Sequence, residues 1–435
     1  MSAGTVSLRI GLLGLGTVGG GVAEFVQQRS GRLTELFGCE LQLGRVLVRD
    51  LAKPRTASVP RSLLTDDPTT ILDDPEVAIV VEVLGGEQPA LAYMRRALQQ
   101  GKHLVTANKE VMAKHGRELL ALAAANNVDV YYEASVGGGL PLIGPFKRDL
   151  LANRISGVRA IINGTTNYIL TRMAEHHTTF SDALAEAQAL GFAEPDPHND
   201  VSGIDAVYKL AILSTLAFHS EVTPDQVYCE GITRLDPRDF RNAAAMGYAI
   251  KLLAIGHDRE DGIQVRVHPV LIPTSQLLAG VGGVFNAVEL EGDLVGRVLL
   301  YGRGAGALPT SSAIAGDLID LARNIRKGIS NRTEVTLGVR RPVLSIEALE
   351  TRYYLRLQVL DQPGVLAEIA AVLGKLGISI AAVNQQEVDE ARKSAEIVIV
   401  THRARESAML AAVAAFRDLP SVLELASLIR IEDGA

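Results

Sequence analysis

The stretch that decides the fold reads VSLRIGLL at residues 6–13 and continues as GLGTVG at residues 14–19. The first part is apolar and rich in β-branched residues, a composition typical of a buried strand. After the glycines, apolar residues at Val18, Val22 and Phe25 recur on one side of a helical pattern. The sequence therefore predicts a strand, a glycine turn and a helix in direct succession.

Glycines spaced as Gly-x-Gly-x-x-Gly between a strand and a helix are typical of dinucleotide-binding turns. They allow a tight turn, close approach of the backbone to a pyrophosphate, and tight packing of the helix on the strand. The amides at the start of the helix would face the phosphates. The motif places these residues at the cofactor: Gly14, Gly16, Thr17, Val18 and Gly19. The alternative is a glycine turn that merely packs a helix.

Strands and helices alternate beyond the motif, which predicts a doubly wound α/β domain. The expected strands cover 41–48, 78–83, 103–106 and 128–132, and the expected helices cover 91–100 and 110–126. The following region mixes strands at 158–163 and 264–272 with helices at 181–190 and 203–218. A second glycine-rich loop, 301–306, leads through Pro309 into a helix at 313–323.

The last part of the chain has a pattern of its own. A polar segment at 327–342 resembles a linker. Strands are expected at 353–360, 378–386, 395–401 and 422–431, and helices at 365–376 and 406–416. The order β-α-β-β-α-β predicts a ferredoxin-like domain. Because this pattern is complete by itself, we expect the domain to be removable without unfolding the rest.

Composition excludes several classes of partner. The net charge is −7 and no basic run occurs, which argues against nucleic acid and anionic membranes. Tryptophan is absent and aromatic residues make up 4%, so base-stacking platforms are not expected. The two cysteines, Cys39 and Cys229, form no metal or disulfide pattern, which fits a reducing compartment. No signal peptide or membrane span is expected, and we predict a soluble cytoplasmic protein.

An acidic loop at residues 191–200 carries three carboxylates stiffened by two prolines. Rigid, convergent acids suit recognition of a substrate ammonium group. A solvated acidic loop is one alternative. A metal site built from Asp196, His198 and Asp200 is another, although their spacing is not a strong ligand pattern.

Two lysines are candidates for acid–base chemistry. Asp205 and Lys209 stand four residues apart on an expected helix and share one face. Their neighbours are mostly apolar, so a partly dry cleft is expected, in which a lysine can act as a proton donor. Lys109 follows a strand of the nucleotide domain, at the edge where such sheets bind ligands. For each lysine the alternative is an ordinary surface charge.

The end of the second strand bears on the choice of cofactor. NAD-binding folds usually hold the ribose diol with an acid there, whereas this chain reads Val48-Arg49-Asp50 with Lys53 close behind. A guanidinium at Arg49 suits the 2′-phosphate of NADP. The sequence favours NADP over NAD, although Asp50 could serve a diol and the cations could belong to a solvated loop.

Seven blocks carry a resemblance to a known family. They are GLGTVG at 14–19, TANK at 106–109, EASVGGGLP at 133–141, NGTTNYIL at 163–170, GFAEPDP with the following Asp200 at 191–200, GIDAVYK at 203–209 and GRGAG at 302–306. In these blocks the chain resembles homoserine dehydrogenases of the bacterial type with a C-terminal ACT domain. The blocks at 163–170 and 191–209 are specific to that family, whereas the first glycine motif is not.

The resemblance implies reversible reduction of L-aspartate 4-semialdehyde to L-homoserine, in the biosynthesis of threonine, methionine and isoleucine. It assigns proton donation to Lys209 with Asp205 beside it, and places Lys109 at the cofactor and substrate. Which lysine is the dominant donor stays open. Glu194 and Asp200 would bind the substrate amino group. No thiol nucleophile is required, which is consistent with the lack of a plausible catalytic cysteine.

The resemblance also implies a structural sodium site and further cofactor contacts. Carboxylate and carbonyl oxygens suit a hard cation. The implied ligands are the carboxylate of Glu133 and the backbone of Val136, Gly138 and Leu140. The glycines that would also lie at the cofactor are Gly191 and Gly302.

The implied fold class is α/β, with three domains and a linker. They are a Rossmann-like nucleotide-binding domain at 1–141 completed by about 301–325, an α+β catalytic and dimerisation domain at 142–300, a linker at 326–345, and a ferredoxin-like ACT regulatory domain at 350–435. The ACT match rests on VLDQPGVL at 359–366, where helix amides could hold an amino-acid carboxylate. The implied effector is threonine, and the implied assembly is a homodimer or homotetramer.

Two alternatives remain at the level of sequence. One is another NAD(P)-dependent reductase of a small amino aldehyde or keto acid. The other is a non-catalytic sensor that reads redox state through the nucleotide domain and an amino acid through the ACT domain. The intact set of Asp205, Lys209 and Lys109 argues against the sensor.

Overall fold

The glycine turn follows the first strand of a parallel sheet, in one of two compact units. The computed structural model describes residues 6–55, 59–330, 337–338, 340–389 and 393–433, and of residues 386–389 the backbone only. The first unit comprises Met1–Val158, Tyr208–Gln226 and Val288–Arg341, and the second comprises Arg159–Val207, Val227–Ala287 and Pro342–Ala435.

The secondary-structure elements are numbered in chain order. The strands are β1 (Val6–Leu13), β2 (Cys39–Leu47), β3 (Leu64–Thr65), β4 (Val77–Glu82), β5 (His103–Thr106), β6 (Val130–Tyr131), β7 (Ile155–Ile161), β8 (Tyr228–Cys229), β9 (Tyr248–Arg259), β10 (Gly262–Pro273), β11 (Phe285–Gly292), β12 (Gly296–Arg303), β13 (Glu350–Leu360), β14 (Ile380–Asp389), β15 (Ser394–Thr401), β16 (Ala404–Arg405) and β17 (Val422–Ile431).

The α-helices alternate with these strands in most of the chain. They are α1 (Thr17–Phe37), α2 (Thr69–Leu72), α3 (Ala90–Gln99), α4 (Lys109–Ala125), α5 (Ile143–Lys147), α6 (Gly164–His176), α7 (Phe180–Ala189), α8 (His198–Val201), α9 (Ile204–Phe218), α10 (Pro237–Ala245), α11 (Ala307–Arg326), α12 (Val365–Lys375) and α13 (Glu406–Arg417). Within the described residues, every helix falls short of the length and apolar character that a membrane span requires.

The first unit is built on a parallel sheet with the strand order β3-β2-β1-β4-β5-β6. Leu13 at the end of β1 pairs with Leu47 on β2 and with Glu82 on β4. Glu82 in turn pairs with Thr106 on β5. The carboxyl ends of four strands therefore adjoin, which is where open α/β sheets bind their ligands. The predicted Rossmann-like architecture is confirmed.

Helix α11 packs against α1 within this unit. A side chain at Gly21 would overlap the Ser311 hydroxyl, so the glycine allows the two helices to approach closely. The apolar face of α11 shares the core of the sheet through buried residues, namely Ile314, Leu318 and Leu321. This long-range packing explains why a helix that is distant in sequence belongs to the nucleotide-binding unit.

The start of α11 differs from the sequence prediction. The helix begins at Ala307, six residues before the predicted start, and Pro309 stands in its first turn. A proline is tolerated there because the first amides of a helix have no partner within the helix. Tyr301 also belongs to β12 and not to a loop.

The second unit contains a long antiparallel hairpin. Strands β9 and β10 pair along their whole length, from Tyr248 opposite Pro273 to Arg259 opposite Gly262. The predicted strand at 264–272 covers most of β10, whereas β9 was not predicted. Residues 249–256 read AIKLLAIG, an apolar run whose periodicity does not separate a buried helix from a buried strand.

The C-terminal region has the predicted ferredoxin-like order. Its antiparallel sheet runs β17-β13-β15-β14. Helices α12 and α13 pack against the sheet, and the shared core is formed by residues such as Tyr353, Leu357, Ile369, Ile397 and Phe416. The prediction of an ACT-type β-α-β-β-α-β unit is confirmed.

This C-terminal sheet is continuous with the hairpin in the second unit. Strand β17 pairs in parallel with β10, with Val270 opposite Arg430 and Leu271 opposite Ile431. The C-terminal part of the predicted linker is fixed as well, since Ile263 donates its amide to the Pro342 carbonyl at 2.8 Å. The middle of the linker, residues 331–336 and 339, lies outside the described residues.

A buried ion network reinforces this connection. Arg356 on β13 donates to Asp239 on α10, with Nε 2.7 Å from Oδ1, and to Glu396 on β15 at 3.1 Å. Arg356, Asp239 and Glu396 are at most 4% exposed. Removing the C-terminal domain would take away the guanidinium partner of Asp239 and would uncover the edge of β10. These contacts argue against the expectation that the domain can be removed without consequence.

We predict that Arg356→Met destabilises the second unit by about 3–5 kcal/mol, the usual cost of leaving a buried charge unpaired. Chemical denaturation followed by circular dichroism measures the loss. The matched control is Arg148→Met, because Arg148 pairs with Asp149 at a side-chain exposure of 74% and such a pair contributes at most about 1 kcal/mol. Equal effects of the two substitutions would show that the Arg356 network is not structurally important.

Candidate active site

The turn between β1 and α1 is shaped by three glycines. Gly14 has φ +108°, and a side chain there would approach the Val83 carbonyl oxygen to 3.0 Å. A side chain at Gly19 would overlap the Gly14 carbonyl oxygen. At Gly16, in contrast, an added Cβ would meet no protein atom within 4 Å. Close packing therefore explains why glycine is needed at positions 14 and 19. Gly16, in contrast, faces open space suited to a phosphate group.

The next two residues of the motif begin the helix. Thr17 is the first residue of α1, and Gly16 caps it without any side-chain hydrogen bond. The Val18 carbonyl oxygen accepts a hydrogen bond from the Ser311 hydroxyl at 3.3 Å. The first turn of this 21-residue helix contains no acidic residue, and the amides at such a helix start can bind an anion.

The end of β2 lies directly beside this turn. Gly14 donates its amide to the Leu47 carbonyl at 3.1 Å, and Arg49 follows two residues later as an exposed side chain. Lys53 is also exposed. The carboxylate of Asp50 accepts the Ala52 amide at 2.8 Å and so serves the loop itself. The exposed side chains of Arg49 and Lys53 are therefore more available than the Asp50 carboxylate to contact a group on the cofactor ribose.

A buried acid organises the ends of β4 and β5. Glu82, which is fully buried, accepts hydrogen bonds from the Thr106 hydroxyl at 2.6 Å and the Leu84 amide at 2.8 Å. Burial raises the pKa of Glu82 despite these hydrogen bonds. Asn108 caps helix α4 by accepting the Val111 amide and donates to the Gly86 carbonyl. This network fixes the position of the next residue.

That next residue is Lys109, the first residue of α4. It is half-buried at the carboxyl edge of the sheet, as the sequence predicted. A lysine ammonium held at this edge can meet a ligand bound there. The supporting role of Glu82 has no local sequence signal, because an acid after an apolar run usually marks the point where a strand reaches solvent.

Two glycine loops contact each other through their backbones in the first unit. Gly139 donates its amide to the Arg303 carbonyl at 3.2 Å. A side chain at Gly138 would overlap the backbone of Gly304, and one at Gly302 would approach Leu140 to 3.3 Å. Gly302 therefore lies beside the 137–140 loop, where its missing side chain leaves room.

The carboxylate of Glu133 caps a helix. It accepts the amides of Leu142, Ile143 and Gly144, the latter two at 2.8 Å and 2.7 Å. These amides lie at the start of α5. The family resemblance implies a sodium site at Glu133, but three lone-pair positions of this carboxylate already accept backbone amides.

The three backbone carbonyl oxygens implied as ligands of the same ion differ from the Glu133 carboxylate in their hydrogen bonding. Val136, Gly138 and Leu140 are buried. Their carbonyl oxygens accept no hydrogen bond from the residues that the structure describes. A buried carbonyl oxygen is normally paired with a protein donor or an ordered water. A hard cation is another partner that such an oxygen can bind, so these oxygens fit the implied ion better than the carboxylate does.

The acidic loop is positioned by the helices on either side of it in the second unit. Thr165 donates its hydroxyl to the Phe192 carbonyl at 2.7 Å. Gln188 donates to the carbonyls of Glu194 and Pro195 at 3.2 and 3.3 Å. The Glu194 side chain is exposed. The backbone of the loop is thus fixed while its carboxylate remains accessible to a ligand.

Other residues of this loop have structural explanations. Gly191 has φ +75° and ends helix α7, with its amide bound to the Gln188 carbonyl. Asp196 accepts the His198 amide at 3.1 Å and forms a local turn. Across the described part of the chain, no group of three or more His, Cys, Asp or Glu side chains could hold a metal ion. The alternative metal site at 196–200 is therefore not supported.

Asn163 connects the two family-specific sequence blocks, 163–170 and 191–209, by hydrogen bonds. Its Nδ2 donates to Asp200 Oδ1 at 2.7 Å and to Asp205 Oδ2 at 2.8 Å. Its Oδ1 accepts the Thr166 amide at 2.8 Å and caps α6. Asp205 is only 2% exposed, whereas Asp200 is half-buried. The sequence placed Asn163 in a family block but gave it no role.

Asp205 and Lys209 both lie on helix α9, one turn apart. The residues between and after them, Ala206, Val207 and Leu210, are buried. Lys209 is half-buried. The helix therefore holds a carboxylate and an ammonium group on one face with limited access to water, as the sequence predicted.

Family models cover most of the chain. A model of the homoserine dehydrogenase NAD-binding domain matches residues 14–133, and a homoserine dehydrogenase model matches residues 141–319. An ACT domain model matches residues 353–421. Each model matches the region in which the structure places the corresponding fold.

Individual relatives match along the full chain. Homoserine dehydrogenase of Neisseria gonorrhoeae is 42% identical over 431 residues and is covered to 98%, as is this chain. The crystal structure of a homoserine dehydrogenase from Thiobacillus denitrificans has a TM-score of 0.92 at 42% identity, covering 99% of each chain. A hyperthermophilic archaeal homoserine dehydrogenase in complex with NADPH has a TM-score of 0.63 at 28% identity, covering 73% of this chain and 98% of that one. The chain therefore belongs to the homoserine dehydrogenase family and is an NAD(P)-dependent oxidoreductase with a C-terminal ACT domain.

Proposed function

We propose that Lys209, Asp205 and Lys109 carry the acid–base chemistry by which this enzyme interconverts L-aspartate 4-semialdehyde and L-homoserine. The observation that carries the proposal is the placement of Asp205 and Lys209 on one face of α9, with Asp205 buried and Lys209 half-buried. A lysine with limited access to water can shift its pKa and exchange a proton with an alcohol.

The bound nicotinamide cofactor supplies the hydride for reduction of the aldehyde and accepts it in the reverse direction. As the aldehyde is reduced, negative charge develops on its oxygen. Lys209 stabilises this charge and donates the proton that completes the alcohol. Lys109 supplies a second positive charge from the end of β5. In the oxidative direction the lysine accepts the hydroxyl proton of homoserine.

The substrate amino group binds to carboxylates of the acidic region. Glu194 and Asp200 take this role, because an ammonium group is best held by ionised acceptors in fixed positions. The support for Glu194 is its exposed side chain on a loop whose backbone is held by Gln188. The support for Asp200 is its half-buried carboxylate, which is oriented by Asn163.

The preferred cofactor is NADP. Arg49 and Lys53 contact its 2′-phosphate, while the glycine turn with Thr17 and Val18 holds the pyrophosphate. The involvement of Asp50 in its own loop supports this choice, and so does the NADPH complex of the archaeal relative. Gly191 and Gly302 complete the cofactor contacts that the family resemblance implies.

A sodium ion binds the loop at 133–140. The carbonyl oxygens of Val136, Gly138 and Leu140 provide its main ligands, and Glu133 contributes its remaining lone pair. The ion stabilises the loop that packs on Gly302 and takes no part in the reaction. The buried carbonyls without donors support this site.

The enzyme acts in the cytoplasm as a homodimer or homotetramer in threonine, methionine and isoleucine biosynthesis. Its ACT domain binds threonine as feedback inhibitor. Gly364 has φ +97° and precedes the 11-residue helix α12, so the first amides of this helix are open to an amino-acid carboxylate. Inhibition requires that threonine bind the less active state more tightly.

We predict that Lys209→Ala lowers kcat for homoserine oxidation at least about 100-fold, the usual effect of losing a general acid or base. Lys209→Arg should be almost as inactive, because arginine keeps the charge but does not exchange its proton near neutral pH. Steady-state kinetics on variants with unchanged circular dichroism tests this. Near-normal turnover in Lys209→Ala would remove Lys209 from the reaction and direct attention to Lys109.

We predict that Arg49→Ala weakens NADP binding about 10- to 100-fold and leaves NAD binding unchanged, since only NADP carries the phosphate that a guanidinium holds. Fluorescence titration with the reduced cofactors measures both affinities. Arg45→Ala is the control, because Arg45 lies on β2, shortly before Arg49, and donates to the Ser62 carbonyl. If both cofactors lose affinity equally, Arg49 does not bind the 2′-phosphate.

We predict that Gly364→Asp abolishes inhibition by threonine and leaves the uninhibited kcat within about twofold. A negative charge at this position repels the effector carboxylate at the start of α12. Gly364→Asn has the same size and the same positive-φ requirement without the charge, and should retain part of the inhibition. The measurement is the initial rate of each variant as a function of threonine concentration. An Asp variant that stays fully sensitive excludes this helix start as the effector site.

A further inference from the structure

Asn163 uses every hydrogen-bonding group of its side-chain amide in a buried position. It is 6% exposed. Its oxygen accepts the amide and the hydroxyl of Thr166 at 2.8 and 3.0 Å. Its nitrogen donates to Asp200 and Asp205 at 2.7 and 2.8 Å. The orientation of the amide is therefore determined by four contacts.

The choice of asparagine at position 163 is not explained by its capping role alone. Serine, threonine, aspartate and asparagine all cap a helix well, so the cap of α6 alone does not require asparagine. Only asparagine keeps two N–H donors after its oxygen has been used for the cap. At position 163 both donors point to carboxylates that come from two other segments, α8 and α9.

Two carboxylates that bind one amide nitrogen lie close enough to repel each other. Like charges at such separation raise the pKa of one partner, while hydrogen bonds from a neutral donor favour the ionised form. Asp205 is also almost completely buried, and burial disfavours its charge further. The Asn163 amide thus offsets both effects at once.

We propose that Asn163 is a positioning residue that keeps Asp200 and Asp205 ionised and at a fixed separation. This inference rests on the proposed function, in which Asp200 binds the substrate ammonium and Asp205 accompanies Lys209. Asn163 itself touches neither the substrate nor the cofactor. Its amide connects Asp200 to Asp205, so that both carboxylates are ionised when homoserine binds.

The decisive variants are Asn163→Asp and Asn163→Ser, both of which keep a capping oxygen for α6. Asn163→Asp replaces the donor with a third carboxylate. We expect KM for homoserine to rise at least about 10-fold and the acid limb of kcat/KM to move about one unit to higher pH, since an added negative charge raises the pKa of the neighbouring acids. Asn163→Ser should raise KM with a smaller shift of the limb, because it removes the donor without adding charge.

The matched control is Asn167→Asp, the same isosteric change one turn later in α6. Asn167 is also buried, and its Nδ2 donates to the carbonyls of Gly283 and Phe285. This variant should lose stability but keep the position of the acid limb. A pH profile for Asn163→Asp that matches Asn167→Asp or the unmodified enzyme would overturn the inference. If Asn163→Asp does not fold, an unchanged KM and acid limb in Asn163→Ser would overturn it.

Asp200→Asn and Asp205→Asn separate this inference from the proposed function. If both variants retain the kinetics of the unmodified enzyme, the proposed roles of these acids fail, and the role of Asn163 fails with them. If both variants are impaired while the Asn163 variants are not, only the role of Asn163 fails. Impairment of all four variants, with a larger pH shift in Asn163→Asp than in Asn163→Ser, supports both.

Discussion

A single amide shared by two carboxylates constrains the second unit. Asp200 and Asp205 come from different helices and are brought together by Asn163, which stands at the start of a third helix. Because an unpaired buried charge costs several kcal/mol, the three segments hold one another in place. The hydrogen bond from Thr165 to the Phe192 carbonyl extends this arrangement to the acidic loop. The two family-specific sequence blocks thus meet at one point.

Buried polar side chains that hydrogen-bond to one another also connect elements elsewhere in each unit. In the first unit, Glu82 receives the Thr106 hydroxyl and supports the start of α4, where Lys109 lies. In the second unit, Arg356 links α10 to the ACT sheet through Asp239 and Glu396. The ACT domain is therefore part of the same folded unit as the hairpin β9–β10 and not an appended module. Helix α12 and the two acids Asp200 and Asp205 therefore lie in the same compact unit.

Much of this structure could be predicted from local patterns. The glycine turn, the β5 strand before Lys109 and the order of the ACT elements follow from short-range periodicity and turn chemistry. Long-range pairing could not be predicted: neither the continuity of β17 with β10 nor the buried partner of Arg356 leaves a local signal. Asn163 was overlooked for the same reason, since a capping asparagine has a sufficient local explanation. The carboxylates of Asp200 and Asp205 reveal its second role only in three dimensions.

In the proposed function, these acids and lysines serve the oxidation of homoserine with NADP. The most direct test is the initial rate of homoserine-dependent reduction of NADP and of NAD by the full-length enzyme, with serine and threonine as alternative substrates. We expect rapid reduction with homoserine, a higher kcat/KM for NADP than for NAD, and negligible rates with serine and threonine. Equal rates for all three amino acids, or no turnover of homoserine with either cofactor, would contradict the proposed function.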